Sequence, residues 1–187
     1  MASSLFILGG TRSGKSRFAL AGLSPRSRVT YVATAQPHDA EMAARIARHQ
    51  AERPAGWRTV ETPVDLVARL EEALPAADTV VVDCLTLWVA NLMLRGDADA
   101  SVLAEADALA ALVAAPSAEL RLVSNETGLG VHPSTADGRR FRELLGLMNQ
   151  RVAAAAARVV LMVAGLPHML KDTPTGSPFG APSREAP

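Results

Sequence analysis

A chain of 187 residues has the length of one domain, and a domain of this size buries roughly 70% of the surface its unfolded chain exposes. Nineteen basic residues balance nineteen acidic ones and only 4% of residues are aromatic, which argues against a general nucleic-acid or membrane-surface binder. A single cysteine, Cys84, excludes an intramolecular disulfide and a cysteine-based zinc cluster, and its apolar neighbours predict plain burial.

The N-terminus shows no basic region followed by a long apolar segment, so no signal peptide is expected. The longest apolar stretches, 79–94 and 159–166, are interrupted by Asp83 and Asn91 or too short to span a bilayer. A soluble cytoplasmic protein without membrane insertion is the expectation.

The apolar run 5–8 predicts a first strand, and Arg17, Phe18, Ala19 and Leu20 suit a helix. Between them lies Gly9-Gly10-Thr11-Arg12-Ser13-Gly14-Lys15-Ser16, which fits GxxxxGKS in the strand–loop–helix setting that a phosphate-binding loop requires. Backbone N–H groups of such a loop converge on phosphate oxygens, and the helix behind it adds partial positive charge. Lys15 would reach the β- and γ-phosphates, and the Ser16 hydroxyl would meet Mg2+. A nucleoside triphosphate is the expected ligand.

Gly22 and Ser24-Pro25 end the first helix, and residues 29–33 read as a second buried strand. Residues 34–37 follow as a loop at that strand's carboxyl end, where ligands sit in open α/β sheets. Asp39 is placed to cap a helix over 40–52. On that helix Met42, Ile46 and His49 share a stripe, with Arg45 and Arg53 one turn to either side of His49. Two neighbouring guanidiniums disfavour further positive charge, which favours a neutral, nucleophilic ring, and both are able to clamp a phosphate. By spacing alone, the reading of His49 as a partly exposed helical residue in a solvated charge stripe is favoured over a site role.

Pro54 ends this helix and residues 57–61 are extended; Pro63 then starts another helix with Leu66, Leu70 and Leu74 on its apolar face. The β-branched run 79–82 ending in Asp83 has the form of a Walker B strand, with Asp83 placed to hold Mg2+ directly or through water. An acid there also suits capping of the next helix, over 85–94. A further helix covers 100–114, a strand 119–124, and a glycine-bearing loop 125–133. The last helix starts near Ala136 with Phe141, Leu144, Leu145, Met148 and Val152 as its core face, and 159–164 is the final clear strand. From Asp172 onward four prolines and two glycines predict a disordered tail, 172–187, behind a catalytic domain of 1–171. Alternating strands and helices give an α/β fold with a mainly parallel sheet covered on both faces. The crossover rule then puts the phosphate loop, the Thr34 loop, Asp83 and the Asn125 loop on one edge.

Taken together, GGTRSGKS, YVATA, EMAARIARHQAERPAGWRTVE, VVVDCLTLWVANLM, SNETGLGVHP and FRELLGLMNQRVAAAA resemble the bifunctional adenosylcobinamide kinase and adenosylcobinamide-phosphate guanylyltransferase family of cobalamin biosynthesis. The resemblance covers most of 5–171 and leaves out the tail. It implies a RecA-like P-loop domain, assembly as a homotrimer, and two reactions. Adenosylcobinamide is phosphorylated with ATP or GTP, and GMP then passes from GTP through a histidine to the new phosphate. The guanylylated histidine of the family falls on His49. Its nucleotide contacts fall on Gly9 to Ser16, on Ala33, Thr34 and Ala35, on Gln50, Ala51, Glu52 and Arg53, and on Glu61 and Asp83. Some relatives carry an adjacent histidine where this chain has Arg48, so a second imidazole has no role here. His38, His132 and His168 are expected to be structural or surface residues.

Two rival readings remain at this level. One is a single-activity P-loop small-molecule kinase with His49 inert. The other is a non-catalytic guanine-nucleotide switch or RecA-like nucleic-acid module. The switch lacks an NKxD motif and a DxxG after the Walker B strand, and the nucleic-acid module lacks net charge and aromatic platforms.

Overall fold

The computed structural model describes residues 2–37, 39–51 and 53–172. Its sheet has seven strands in the order β3-β2-β4-β5-β1-β6-β7, where β1 is Ser4–Gly9, β2 Val29–Ala33, β3 Arg58–Glu61, β4 Thr79–Asp83, β5 Glu119–Val123, β6 Arg158–Val163 and β7 Leu166–Asp172. The first six run parallel and β7 returns antiparallel along β6. The helices are α1 (Lys15–Leu20), α2 (Ala40–Ala51), α3 (Leu66–Ala73), α4 (Leu85–Arg95), α5 (Asp99–Ala114) and α6 (Ala136–Ala155). The glycine-loop strand β1 and the acid-tipped strand β4 are separated by β5, and the fold is the RecA-like P-loop α/β architecture.

Side-chain alternation along the strands makes two cores. Phe6 and Leu8, Val32, Val80 and Val82, Leu120 and Leu122 pack against α3, α4, α5 and α6. Leu5 and Ile7, Tyr31, Val81, Val123 and Met162 face the other way, onto Ala19 and Phe18 of α1. No residue of α2 is buried. This helix stands over the ends of β2 and β4 and turns Met42 and Ile46 toward a cavity.

Most of the predicted elements appear with ends shifted by a residue or two. Asp39 does cap α2, its Oδ1 accepting from the Met42 N–H at 2.7 Å. In α6, Leu144, Leu145, Met148 and Val152 are buried, whereas Phe141 only packs against the rim of the core. Three differences have physical causes. Helix α3 begins at Leu66 rather than Pro63, because side chains of α4 hold the preceding carbonyls: Trp88 Nε1 donates to Val64 O at 2.7 Å and Asn91 Nδ2 to Pro63 O at 3.0 Å. Strand β7 was not expected, since its exposed sequence with Pro167 lacks alternation; an edge strand tolerates proline, which removes a ladder donor. Asp172, expected to open the tail, closes β7, and 173–187 lie outside the described residues, as does His38.

Leu122 is fully buried in the middle of the sheet. Leu122→Ala should therefore cost about 2–5 kcal/mol. At roughly 2–4 °C per kcal/mol for a domain of this length, the melting temperature should fall by about 4–20 °C, as measured by thermal denaturation.

Candidate active site

Parallel pairing lines up the strand ends. Glu61, Ala33, Asp83, Val123 and Ile7 are register partners in one row across β3, β2, β4, β5 and β1. The glycine loop leaves the sheet two residues beyond Ile7. A side chain at Gly9 would sit 2.6 Å from both Met162 O and Ser13 Oγ, so only glycine lets the chain turn there. Gly14 opens α1 with φ 95, in the left-handed region that favours glycine. Ser13 O accepts from the Gly165 N–H at 3.0 Å, which ties the loop to the β6–β7 turn.

Lys15 is buried, and its Nζ donates to Gly10 O at 2.6 Å, across the loop it belongs to. Burial lowers its affinity for a proton below the ordinary lysine value of 10.5; nearby Asp83 opposes that shift, and Arg45 adds to it. The lysine, the β4 acid and the α2 arginine thus act on one another electrostatically. The Ser16 side chain is half-buried at the start of α1.

Beside this loop a cavity of about 250 Å³ lies between α2 and the strand ends. It is lined by Ala33, Ala35, His49, Gln50, Arg53, Glu61 and Asp83, seven of the residues that the resemblance marked. Arg45 and Ile46 complete the α2 wall. His49 is half-buried, and Gln50 Nε2 donates to Glu61 Oε1 at 3.0 Å, joining α2 to β3. The Arg53 guanidinium stacks 3.7 Å from the centroid of the Tyr31 ring. Tyr31 in turn donates its hydroxyl to Asp83 Oδ2 at 2.7 Å. Burial, and then the Asp83 charge, hold that phenol protonated well beyond its usual range.

Thr34 has a different setting. It is fully buried, its hydroxyl bonded to both Cys84 O and the Cys84 N–H, and its own carbonyl accepts from Asn91 Nδ2 at 2.7 Å. Ala51 is exposed at the end of α2, and Glu52 lies outside the described residues. Cys84 lines the cavity instead of being simply buried, yet desolvation pushes its thiol up to about 11, so no thiolate is available at neutral pH. Among the described residues, His132 meets Arg142 and His168 lies on β7, both away from this cavity.

Residues 5–170 match the family described as cobinamide kinase / cobinamide phosphate guanyltransferase. The chain belongs to this family. It is 47% identical over 170 residues to the bifunctional adenosylcobalamin biosynthesis protein CobP of Pseudomonas aeruginosa, covering 90% of this chain and 97% of that one. It is 40% identical over 174 residues to the bifunctional adenosylcobalamin biosynthesis protein CobU of Salmonella typhimurium, covering 87% and 96%. The P4 protein of bacteriophage phi6 in complex with ADP superposes with a TM-score of 0.45 at 17% identity, over 94% of this chain and 56% of that one; the fold assignment rests on strand order instead.

Within this cobinamide kinase / guanyltransferase chain, sequence reasoning passed over Tyr31 as a site residue. The signal was available: the one tyrosine of the chain sits two residues before Ala33 and shares its sheet face. Met42 and Ile46 were read as a stripe, and the surface they serve is the cavity wall. Among the described residues the buried side-chain atoms without a partner include Ser13 Oγ, Arg53 Nε and Thr127 Oγ1, all at the carboxyl edge where ligand atoms can pair with them.

The lowered proton affinity of Lys15 makes a signed prediction. Between its folded-state value and 10.5 the unfolded chain holds the extra proton, so this residue makes stability rise with pH. Compared with Lys15→Met by urea unfolding, the wild type should gain ground as pH is raised from about 7 toward 10.5. A difference that stays flat or shrinks over that range contradicts the burial of a charged lysine.

Proposed function

We propose that this single edge runs both reactions of the family, with His49 carrying the guanylyl group between them. In the first, the aminopropanol hydroxyl of adenosylcobinamide takes the γ-phosphoryl group of ATP or GTP held by residues 9–16. In the second, a ring nitrogen of His49 attacks the α-phosphorus of GTP. The bond to the bridging oxygen breaks, pyrophosphate leaves, and a P–N bond joins GMP to the protein. The phosphate made in the first reaction then attacks the same phosphorus, the P–N bond breaks, and adenosylcobinamide-GDP forms with His49 free again.

The observation that supports this most is His49 facing the Glu61–Ala33–Asp83 row across one cavity. Arg45 and Arg53 supply fixed positive charge on either side of it. Ala33, Ala35, Gln50, Arg53, Glu61 and Asp83 are assigned to nucleotide binding. Thr34 keeps its assignment on resemblance alone, since its hydroxyl, N–H and carbonyl are all engaged within the protein. Ala51 and Glu52 keep the same assignment on resemblance alone.

Ser16 and Asp83 are the residues that would hold Mg2+, whose chemistry is to neutralise charge on the transferring phosphates. The donor set fits: both supply hard oxygens, one oxygen of Asp83 is steadied by Tyr31, and Mg2+ ordinarily takes few protein ligands beside phosphate and water. Among the described residues no group of three or more His, Cys, Asp or Glu forms a dedicated cage.

The same reading includes a homotrimer in the cytoplasm. Supporting the assembly, Val163, Leu166, Met169 and Leu170 are exposed along the β6–β7 edge of the sheet. Supporting the location, no helix among the described residues is long and apolar enough to cross a membrane. Sedimentation equilibrium should give three times the 19.6 kDa chain mass, and a monomer would remove the trimer from the reading.

Incubation with α-labelled GTP and Mg2+ should leave acid-labile, base-stable label on the protein, and His49→Ala should abolish it. Label that survives the substitution places the nucleophile elsewhere. Lys15→Ala should reduce phosphorylation and labelling by at least about 100-fold each, because both reactions need the one phosphate cradle.

A further inference from the structure

The reaction that phosphorylates a hydroxyl needs an acceptor for its proton, and neither the cavity nor the glycine loop offers an obvious one. Asp83 is the acid assigned to Mg2+, and Glu61 lies on the edge strand β3, with one oxygen of each already engaged, by Tyr31 and by Gln50. Both also stand on the far side of β5 from the glycine loop. The loop that follows β5 occupies the gap, because β5 lies between β4 and β1 in the sheet.

That loop is fastened at several points. The Ser124 hydroxyl donates to Asn149 Oδ1 at 2.8 Å, and Asn149 Nδ2 donates to Asn125 O at 3.0 Å. The Asn125 N–H donates to Thr86 Oγ1 at 2.8 Å. The next amide, that of Glu126, donates to Gly9 O at 3.2 Å, so this residue is bonded directly to the first glycine of the phosphate loop. The Glu126 side chain is half-buried, and its Oε1 accepts from the Gly128 N–H at 2.7 Å. One oxygen is therefore held by the loop while the second has no donor among the described residues. Beside it, Thr127 Oγ1 is buried without a partner.

We propose that Glu126 is the general base of the phosphorylation step, and that the loop 125–128 forms the acceptor side of the site. This rests on the family's kinase reaction, not on the role of His49. The acceptor hydroxyl oxygen attacks the γ-phosphorus and the bond to the β–γ bridging oxygen breaks. The nucleoside diphosphate departs with that oxygen's electron pair. The hydroxyl proton passes to Glu126 Oε2 and then to solvent. The carboxylate is suited to this because its backbone is pinned beside the phosphate loop and its second oxygen is unengaged. No other acidic residue among the described residues is shown with its backbone bonded to that loop.

Glu126→Gln is the informative substitution, since glutamine keeps an oxygen to accept from Gly128 and loses only the ability to take a proton. With adenosylcobinamide and ATP, its kcat for phosphorylation should fall by about 100-fold or more, with KM within a few-fold of wild type. The acidic limb of the wild-type pH–rate profile should disappear, and Glu126→Asp should recover part of the rate. Transfer of label from α-labelled GTP to the protein should persist in Glu126→Gln. An unchanged kcat overturns the assignment, and so does an equal loss of phosphorylation and labelling, which would mark Glu126 as a support of the loop. Wild-type protein that phosphorylates no cobinamide would overturn the kinase reading itself, and this assignment with it.

Discussion

Six parallel strands whose carboxyl ends lie on one edge of the sheet are the constraint from which the rest of this molecule follows. Parallel pairing fixes Glu61, Ala33, Asp83, Val123 and Ile7 as partners in a single row. Each residue that continues beyond that row must then emerge on the same edge. The glycine loop, the Thr34 loop, the Asp83 tip and the Asn125 loop come from widely separated parts of the chain. Reversing any one of their strands would take its loop out of the group, because a reversed strand delivers its loop to the opposite edge.

Buried polar side chains turn that edge from a set of strand ends into a rigid frame. Thr34 bridges both backbone groups of Cys84, Asn91 bridges the carbonyls of Thr34 and Pro63, and Asn149 joins Ser124 to Asn125. Each of these groups is desolvated, and each is paired, as burial in a low dielectric demands. Their effect is local and specific: they hold the loops after β2, β4 and β5 at fixed heights above the sheet. The glycine loop is held from both sides, through Gly9 to Glu126 and through Ser13 to Gly165.

Helix α2 obeys a different rule. It has no buried residue, and it meets the rest of the domain through the Gln50–Glu61 bond and a cavity wall. Its apolar stripe of Met42 and Ile46 faces space rather than a packed sheet, with His49 and Arg45 beside it. Ordinary helices of this fold bury that face; α3 and α6 do. A helix whose apolar face lines a cavity leaves room for a ligand between itself and the strands, which suits a residue that must reach a bound nucleotide.

Local chemistry in the sequence determined most of the framework. GxxxxGKS between an apolar run and a helix, the β-branched strand ending in Asp83, and the alternation of strands and helices are short-range patterns, and they specified a P-loop α/β sheet with its loops on one edge. His49 was marked by resemblance, since spacing alone favoured a solvated charge stripe. What only the tertiary structure decided depends on groups far apart in the chain. The start of α3 is set by Trp88 and Asn91 of α4, β7 exists because β6 offers it an edge, and Tyr31 becomes a site residue through Asp83 and Arg53. The place of Glu126 depends on its amide reaching a carbonyl 117 positions earlier. No periodicity within a short window carries such a contact, because it is fixed by the order of strands in the sheet and not by the residues on either side.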